Sequence, residues 1–328
     1  MVGQVLCGIN NIYTVSANGR RLLCRIKGKV LQQDLLSRTL PQTGVFADRK
    51  LKIRPGAYNP IAVGDWVEMV PDPHDPEAAW IVAVKERRSF LIRFNKKKKA
   101  LQVIAANTDV LVCVGSAKSP PFRPRFIDRL LVSAQVGGVE PLIFLNKSDL
   151  GLEREDRTRL AAYRRAGYPV VVGSALSGKG LAGLKSLLKG RDAAFVGQSG
   201  VGKSSLLNRL DNRLDLKVGE ISRKYDRGGH VTSHAALLEL EFGARVVDTP
   251  GIRELDIYGI APEELGRCFP DFHRSAERCG YASCCHIDEP DCGVKADVES
   301  GKIHPDRYLS YVNIFTHLRD FQQSMIYG

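Results

Sequence analysis

The feature that most constrains this chain of 328 residues is the octapeptide GQSGVGKS at residues 197–204. It fits the pattern G-x-x-x-x-G-K-[ST], follows the apolar run AAFV and opens a stretch with helical character. The glycines let backbone N–H groups wrap a phosphate chain, Lys203 can reach the β and γ oxygens, and Ser204 offers a hydroxyl to Mg²⁺. The predicted phosphate contacts are Gly197, Gln198, Ser199, Gly200, Val201, Gly202, Lys203, Ser204 and Ser205.

Two further strand ends predict which nucleotide base the site recognises. NKSD at 146–149 resembles the guanine-recognition loop of GTP-binding proteins, because a carboxylate at Asp149 can accept from guanine N1 and the exocyclic amine. SAL at 174–176 matches the loop whose backbone N–H contacts guanine O6 in such proteins. The predicted base contacts are Asn146, Lys147, Ser148, Asp149, Ser174 and Ala175.

DTPG at 248–251 ends another strand, where Asp248 can hold Mg²⁺ through water and Gly251 can offer its N–H to a γ-phosphate.

The hydrophobic pattern divides the chain. Residues 1–90 contain short β segments, VLCGINNIYTV, RLLCRIKGKV, IAVGDWVEMV and AWIVAVKERR, which predict a small barrel. From residue 101, apolar runs alternate with helical stretches near 125–136, 153–166, 181–189 and from 203, which is typical of a parallel sheet covered on both faces. After residue 262 the strands stop, and a cysteine-rich loop precedes a helix near 306–325.

Charge is concentrated at the start of the chain. The net charge is +12, and residues 1–100 hold 18 Lys or Arg against 8 Asp or Glu, including a lysine run at 96–99. A surface of one sign is typical of a partner rich in phosphate, most often nucleic acid. A solvated basic face kept for solubility is the alternative.

The order of the motifs indicates a family. In an ordinary GTPase the phosphate loop comes first and the NKxD loop last, whereas here NKSD and SAL precede GQSGVGKS and DTPG, as a circular permutation would produce. This order, with DTPGIREL, an N-terminal barrel and a C-terminal Cys/His cluster, resembles the ribosome small subunit-dependent GTPase A family over essentially the whole chain. The resemblance implies an α/β fold: a circularly permuted P-loop GTPase domain with a mostly parallel sheet, an N-terminal all-β OB-fold barrel and a small C-terminal zinc-binding, helical domain. We place these domains at 99–262, 1–98 and 263–328.

The family's zinc pattern falls on Cys279, Cys284, His286 and Cys292, spaced C-x4-C-x-H-x5-C. Three thiolates and an imidazole suit four-coordinate Zn²⁺ and leave no open position for water, so we expect one structural zinc per chain. Cys285 is an alternative to Cys284 as a ligand. The remaining cysteines, Cys7, Cys24, Cys113 and Cys268, lie in apolar segments and are predicted to be small core residues.

The family's switch I pattern, G-x-H-T-T-T, is matched only in part by GGHVTS at 228–233, so only His230 and Thr232 are carried over. Lys203, His230 and Thr232 are the expected catalytic residues, and Ser204, Thr232 and Asp248 the expected Mg²⁺ ligands. Ile252 stands where many GTPases have a glutamine that orients water, and its side chain cannot do so. We therefore expect slow hydrolysis without a partner, with His230 as the in-chain candidate for orienting water. A loop histidine that makes a local hydrogen bond is the alternative for His230.

The resemblance implies a GTPase that binds the small ribosomal subunit and its rRNA and hydrolyses GTP in a ribosome-stimulated manner during late subunit maturation. GTP or GDP with Mg²⁺, a monomer, a cytoplasmic location and no membrane partner are expected, since no apolar run approaches 18 residues and the start lacks a secretory signal. One alternative is an RNA-binding scaffold with a structural guanine-nucleotide site. Another is a metal-dependent nuclease built on the Cys/His cluster.

Overall fold

The computed structural model describes residues 1–9, 11–27, 61–95, 100–216, 236–248, 257 and 259–327. The lysine run at 96–99 lies outside these residues, as do the switch I residues predicted above.

The first part of the chain forms a closed barrel of five strands. These are β1 (Val2–Ile9), β2 (Ile12–Ala17), β3 (Arg20–Ile26), β4 (Trp66–Pro71) and β5 (Ala78–Val84). Their order is β1-β2-β3-β5-β4, β4 pairs back onto β1, and only the β3–β5 pairing is parallel. A five-stranded barrel of this kind is consistent with the predicted OB-fold. The stretch predicted as one β segment at 5–15 is two strands, because Asn11, with a φ of 64°, lies in the turn that reverses the chain.

Strands β6 (Phe90–Asn95) and β7 (Ala100–Ala106) pair with each other as a separate antiparallel hairpin. The sequence pattern did not predict this hairpin, because the lysine run at 96–99 indicated an exposed linker. The domain boundary placed between residues 98 and 99 falls between the two strands, and the bounds of the three domains stay a prediction.

The centre of the chain contains the expected α/β layers. Its strands are β8 (Val110–Ser116), β9 (Glu140–Asn146), β10 (Val170–Val172), β11 (Asp192–Gly197), β12 (Ala236–Glu239) and β13 (Arg245–Asp248). They lie in the order β10-β9-β8-β11-β13-β12, and all neighbours are parallel except β12 and β13. The sheet is therefore mostly parallel, as predicted.

Four helices cover the two faces of this sheet. They are α1 (Pro124–Val136), α2 (Arg154–Arg165), α3 (Leu181–Leu188) and α4 (Lys203–Leu210), each within a residue or so of its predicted position. Apolar residues of α1 and α2 pack on one face, and the leucines of α3 and α4 pack on the other. The helices thus exclude water from both faces, which is why the strands read as continuous apolar runs.

The barrel and the central sheet are continuous. Strand β1 pairs with β12 at Cys7 and Ala236, so eleven strands form one sheet. Beside this junction Arg245 donates to both carboxylate oxygens of Asp192, at 2.6 and 2.7 Å, and to the amide oxygen of Gln4. The Gln4 side chain is 2% exposed, so the barrel is joined to the start of β11 by a buried polar contact. Cys7 is half-buried at this junction, whereas Cys24, Cys113 and Cys268 are buried as predicted.

The C-terminal part contains only helices and turns within 259–327: 3₁₀ turns at Pro262–Cys268 and Pro270–Phe272, then α5 (His273–Ala276), α6 (Gly293–Glu299) and α7 (Pro305–Tyr327). Their apolar core also includes Val132 of α1 and Ile257. We call residues 259–327 the metal module. None of the helices in the described part of the chain is both long and apolar enough to cross a membrane.

Candidate functional site

The nucleotide motifs meet at one edge of the central sheet. Strands β8, β9, β10, β11 and β13 are mutually parallel, so their carboxyl ends lie at the same edge. NKSD follows the end of β9, SAL follows β10, and the phosphate loop follows β11. Loops at the carboxyl edge of such a sheet form the usual ligand crevice. The fold thus brings together motifs that are more than 50 residues apart in the sequence.

Asn146 connects three of these loops. Its side chain, 1% exposed, donates through Nδ2 to the backbone oxygen of Val201 at 2.9 Å and accepts through Oδ1 from the backbone N–H of Ala175 at 2.9 Å. One amide thus fixes the guanine loop, the SAL loop and the phosphate loop in relation to one another. This role requires a group that donates and accepts at once, which an amide provides.

Lys147 connects the guanine loop to the phosphate loop a second time. Its Nζ donates to the backbone oxygen of Gly200 at 2.7 Å and to that of Ser119. Ser119 belongs to the loop 117–123 between β8 and α1, a contact that the sequence motifs did not predict. Lys147 has a φ of 60°, a left-handed conformation that is strained for a side chain of its size. Strain of this kind is typical of functional loops.

The phosphate loop has the geometry that its sequence predicts. Gly202 has a φ of 91°, and a Cβ on it would lie 2.5 Å from Nδ2 of Asn146, so only glycine fits. Lys203 begins α4 and donates to the backbone oxygens of Gly197 and Gln198 at 2.5 and 2.8 Å. Its ammonium therefore lies within the loop that would surround the phosphates, at the N-terminus of a helix that favours anions.

The residues predicted to contact the base differ in their exposure. Asp149 is exposed and Ser148 half-exposed, while Ser174 is buried, and its hydroxyl accepts from the N–H of Ser177 at 3.1 Å. Leu176 is 82% exposed beside Ala175, an unusual position for a leucine. The sequence motif included Leu176 without a role.

Some predicted residues lie outside what the structure describes. His230, Thr232, Gly251 and Ile252 are in this group. For Asp248 only the backbone is described, and it ends β13 next to β11, at the same edge as the phosphate loop.

The four predicted metal ligands come together in the metal module. The ligand atoms of Cys279, Cys284, His286 and Cys292 all lie within 4.8 Å of one another. Sγ of Cys279 is 3.9 Å from Sγ of Cys292, and Nδ1 of His286 is 3.6 and 3.5 Å from these two sulfurs. Tetrahedral ligands at the usual zinc distances would be about 3.8 Å apart, so the donor set and its spacing fit such an ion.

Cys285, the alternative ligand, is outside this group. Its Sγ faces the backbone oxygen of Ser283 at 3.6 Å. Its backbone N–H and that of Ile287 donate to the carboxylate of Glu289 at 2.6 and 3.0 Å, which closes the ligand loop.

The protonation of the cluster depends on a cation. Burial and the neighbouring Cys279 and Cys292 thiols raise the pKa of Cys284 to about 12, while burial lowers the pKa of His286. The lowered pKa favours the neutral imidazole, the form that binds a metal, and Nδ1 is the ring nitrogen that faces the two sulfurs. A cation at the centre would reverse the effect on the thiols, which bind metals as thiolates, so binding would release protons.

Comparison with known proteins identifies the family. The model of the RsgA GTPase family matches residues 84–258. A protein of Chlorobaculum parvum named small ribosomal subunit biogenesis GTPase RsgA is 42% identical over 267 residues, covering 79% of this chain and 86% of that protein. One of the same name from Borrelia recurrentis is 35% identical over 319 residues, covering 97% and 95%.

Solved structures agree over the whole length. The crystal structure of YjeQ from Thermotoga maritima superposes with a TM-score of 0.70 at 34% identity, covering 97% of this chain and 98% of that one. YloQ, described as a circularly permuted GTPase, gives a TM-score of 0.67 at 28% identity, covering 97% and 95%. The fold is therefore the permuted one that the motif order predicted, and the chain belongs to the RsgA GTPase family.

Proposed function

We propose that this chain is a GTPase that acts in biogenesis of the small ribosomal subunit, binding the subunit and hydrolysing GTP faster in its presence. GTP hydrolysis follows from membership of the RsgA GTPase family. The observation that carries the proposal is the arrangement of the guanine, SAL and phosphate loops around Asn146 at one sheet edge. Relatives that match almost the whole chain are named for small-subunit biogenesis.

Guanine recognition is assigned to the loops that Asn146 joins. The exposed carboxylate of Asp149 accepts from guanine N1 and its amine, a backbone N–H of the SAL loop at 174–176 other than the one that Asn146 binds offers a donor for O6, and the stem of Lys147 covers one ring face. The support is chemical, because adenine does not present the pair of donors that a carboxylate can accept. The phosphates occupy the loop 197–204, and Lys203 exchanges its two backbone acceptors for phosphate oxygens.

The chemical step is assigned to groups on both sides of the phosphates. Lys203 neutralises charge that develops on the β and γ oxygens, and Mg²⁺, when bound by Ser204, Thr232 and Asp248, supplies further positive charge there. Gly251 would donate its N–H to the γ-phosphate. His230 orients the attacking water when the subunit is bound, which compensates for Ile252.

Zinc is the proposed ion of the Cys/His cluster, one per chain. Four protein donors at tetrahedral spacing leave no position for a substrate, so the role is structural. The nuclease alternative lacks support for the same reason.

The barrel is the proposed rRNA contact. Strand β3 and the residue after it expose Arg20, Arg21, Arg25 and Lys27, and the lysine run at 96–99 adds to this charge. Contacts to phosphates made by such residues weaken steeply with salt. We also propose a monomer in the cytoplasm; none of the eight cysteines, all of them within the described residues, forms a disulfide, which agrees with a reducing compartment.

The deciding experiment is GTP turnover with and without purified small subunits. We expect slow turnover alone and a large increase with subunits. The scaffold alternative, which family membership does not favour, predicts no increase.

A single-turnover comparison of His230→Ala with the parent protein tests the water-orienting role. We expect unchanged affinity for a non-hydrolysable GTP analogue and a loss of roughly a hundredfold in the stimulated rate. Full stimulation in His230→Ala would show that another group orients the water.

A further inference from the structure

A buried cluster of charges joins the nucleotide loops to the metal module. Asp128, in the second turn of α1, is fully buried and accepts from Nη1 of Arg307 at 2.7 Å, from the Tyr163 hydroxyl at 2.8 Å and from Nη2 of Arg159. Arg307, whose side chain is 1% exposed, also donates to both oxygens of Asp271, at 2.7 and 3.1 Å. Its guanidinium carbon lies 4.4 Å from the centre of the Phe269 ring.

On the nucleotide side, α1 is attached to the loops of the site. The loop 117–123 that leads into it accepts from Lys147 at the Ser119 oxygen, and Ala117 donates its N–H to the backbone oxygen of Asn146 at 2.9 Å. On the other side of this loop, Pro120 lies beside Gly200 of the phosphate loop. The helix that carries Asp128 thus begins at the contact between the guanine and phosphate loops.

On the metal side, Arg307 lies in the first turn of α7, which holds the ligand loop. Tyr308 donates its hydroxyl to the backbone oxygen of His286 at 2.8 Å, and Tyr311 donates to that of Cys285 at 2.6 Å. A shift of Arg307 relative to α1 would therefore be transmitted to the segment that carries two of the metal ligands.

The chemistry of the cluster indicates a role beyond stability. Burying the two arginines and Asp128 costs desolvation free energy that ion pairing often fails to recover, and apolar residues of similar volume commonly stabilise a protein as well or better. What an arginine fork adds is orientation, because it satisfies Asp128 and Asp271 together in only one geometry.

We propose that Asp128 and Arg307 are positioning residues that couple nucleotide binding to the orientation of the metal module, and through it to the stimulation of hydrolysis by the small subunit. The stimulation arm of this inference rests on the proposed function; the coupling arm requires only that the protein binds guanine nucleotide. Neither residue belongs to the nucleotide motifs. Such coupling is reciprocal, so a contact that reorients the module also acts on the nucleotide loops.

The test uses Arg307→Lys in the full-length protein, because lysine keeps the charge but cannot bridge Asp128 and Asp271 as a fork. Arg278→Lys is the matched control, since Arg278 pairs with Asp297 wholly inside the metal module. Metal content and GTP-analogue affinity are measured first in all three proteins. We expect about one metal per chain in each protein. We also expect affinities for the GTP analogue within about twofold of the parent, a difference smaller than the loss of a nucleotide contact would cause.

The coupling is measured by amide hydrogen exchange with a non-hydrolysable GTP analogue against nucleotide-free protein. In the parent and in Arg278→Lys we expect the analogue to slow exchange in the early turns of α7 by about threefold or more, and in Arg307→Lys we expect this difference to disappear. Saturating small subunits should stimulate GTP hydrolysis by Arg307→Lys about tenfold less than hydrolysis by the parent. We expect the maximal stimulated rate to fall, and not the subunit concentration that gives half of it to change.

Two results would overturn the inference. If the analogue leaves exchange in 305–327 unchanged in the parent protein, no coupling exists, whatever the subunits do. If Arg307→Lys loses its metal, or keeps the nucleotide-dependent exchange difference of the parent, Arg307 is only a structural residue of the module. Failure of subunits to stimulate the parent would instead count against the proposed function, and the exchange measurement would still decide the coupling.

Discussion

Replacing Asn146 by alanine should weaken nucleotide binding more than it weakens the fold. The change removes the donor to Val201 and the acceptor for Ala175, both at 2.9 Å, and leaves these two backbone groups without their partner. The guanine, SAL and phosphate loops would then have to be ordered by the nucleotide itself. Because this ordering cost appears only on binding, it lowers affinity.

The magnitude follows from the two hydrogen bonds. Each buried hydrogen bond contributes roughly 0.5–1.5 kcal/mol, so losing both amounts to about 1–3 kcal/mol. At about 1.4 kcal/mol per factor of ten, the affinity for GTP and GDP should fall by roughly 5- to 150-fold. Both nucleotides should be affected similarly, because the loops that Asn146 joins are assigned to the base and to phosphates that GTP and GDP share.

The assay is titration of a fluorescent guanine nucleotide, with thermal unfolding measured in parallel. Asn208→Ala is the matched control, since Asn208, in the last turn of α4, also bonds one backbone oxygen and one N–H, both of Leu216 at 2.8 and 2.9 Å. The control should lose stability yet keep its affinity within about twofold. An Asn146→Ala protein with parental affinity and a lowered melting temperature would refute the reasoning, because Asn146 would then stabilise the fold alone.

Three further outcomes are expected. Asp149→Asn should weaken GTP binding and favour a xanthine nucleotide, measured by competition titration; equal binding of ATP and GTP by the parent would contradict guanine recognition by this residue. Gly202→Ala should lower nucleotide affinity at least about tenfold, because a left-handed residue other than glycine costs about 1–3 kcal/mol and its Cβ would displace Asn146. Chelation, Cys292→Ser or a fall in pH that protonates the thiolates should release the metal and speed amide exchange in the metal module more than in the central sheet; unchanged exchange after complete metal loss would show that the core of the module suffices without it.

Local patterns predicted the central domain well because its elements are strongly periodic. The helices α1, α2, α3, α4 and α7 lie where spacing and flanking residues placed them, and the strand ends carry the motifs. The metal ligands were equally predictable from the sequence, because all four lie within 14 residues.

Pairings between distant residues could not be read in the same way. The hairpin of β6 and β7 was missed because its connecting lysine run is typical of an exposed linker, and β1 was merged with β2 because the turn at Asn11 interrupts an apolar run without glycine or proline. No local pattern distinguishes Asp128 and Arg307 in the sequence, since only the packing of three helices buries them together. Such burial depends on contacts across 179 residues of sequence.

The pairing of β1 with β12 has a consequence for solubility. Strand β12 is the last strand of the central sheet on that side, and the barrel covers part of its outer edge. A truncated protein without residues 1–98 would expose the unpaired N–H and C=O groups of this edge, which are a template for pairing with another chain. Loss of subunit binding in such a truncation therefore has to be measured on protein shown to be monomeric by light scattering, because self-association through β12 would remove material from the assay without any loss of an RNA contact.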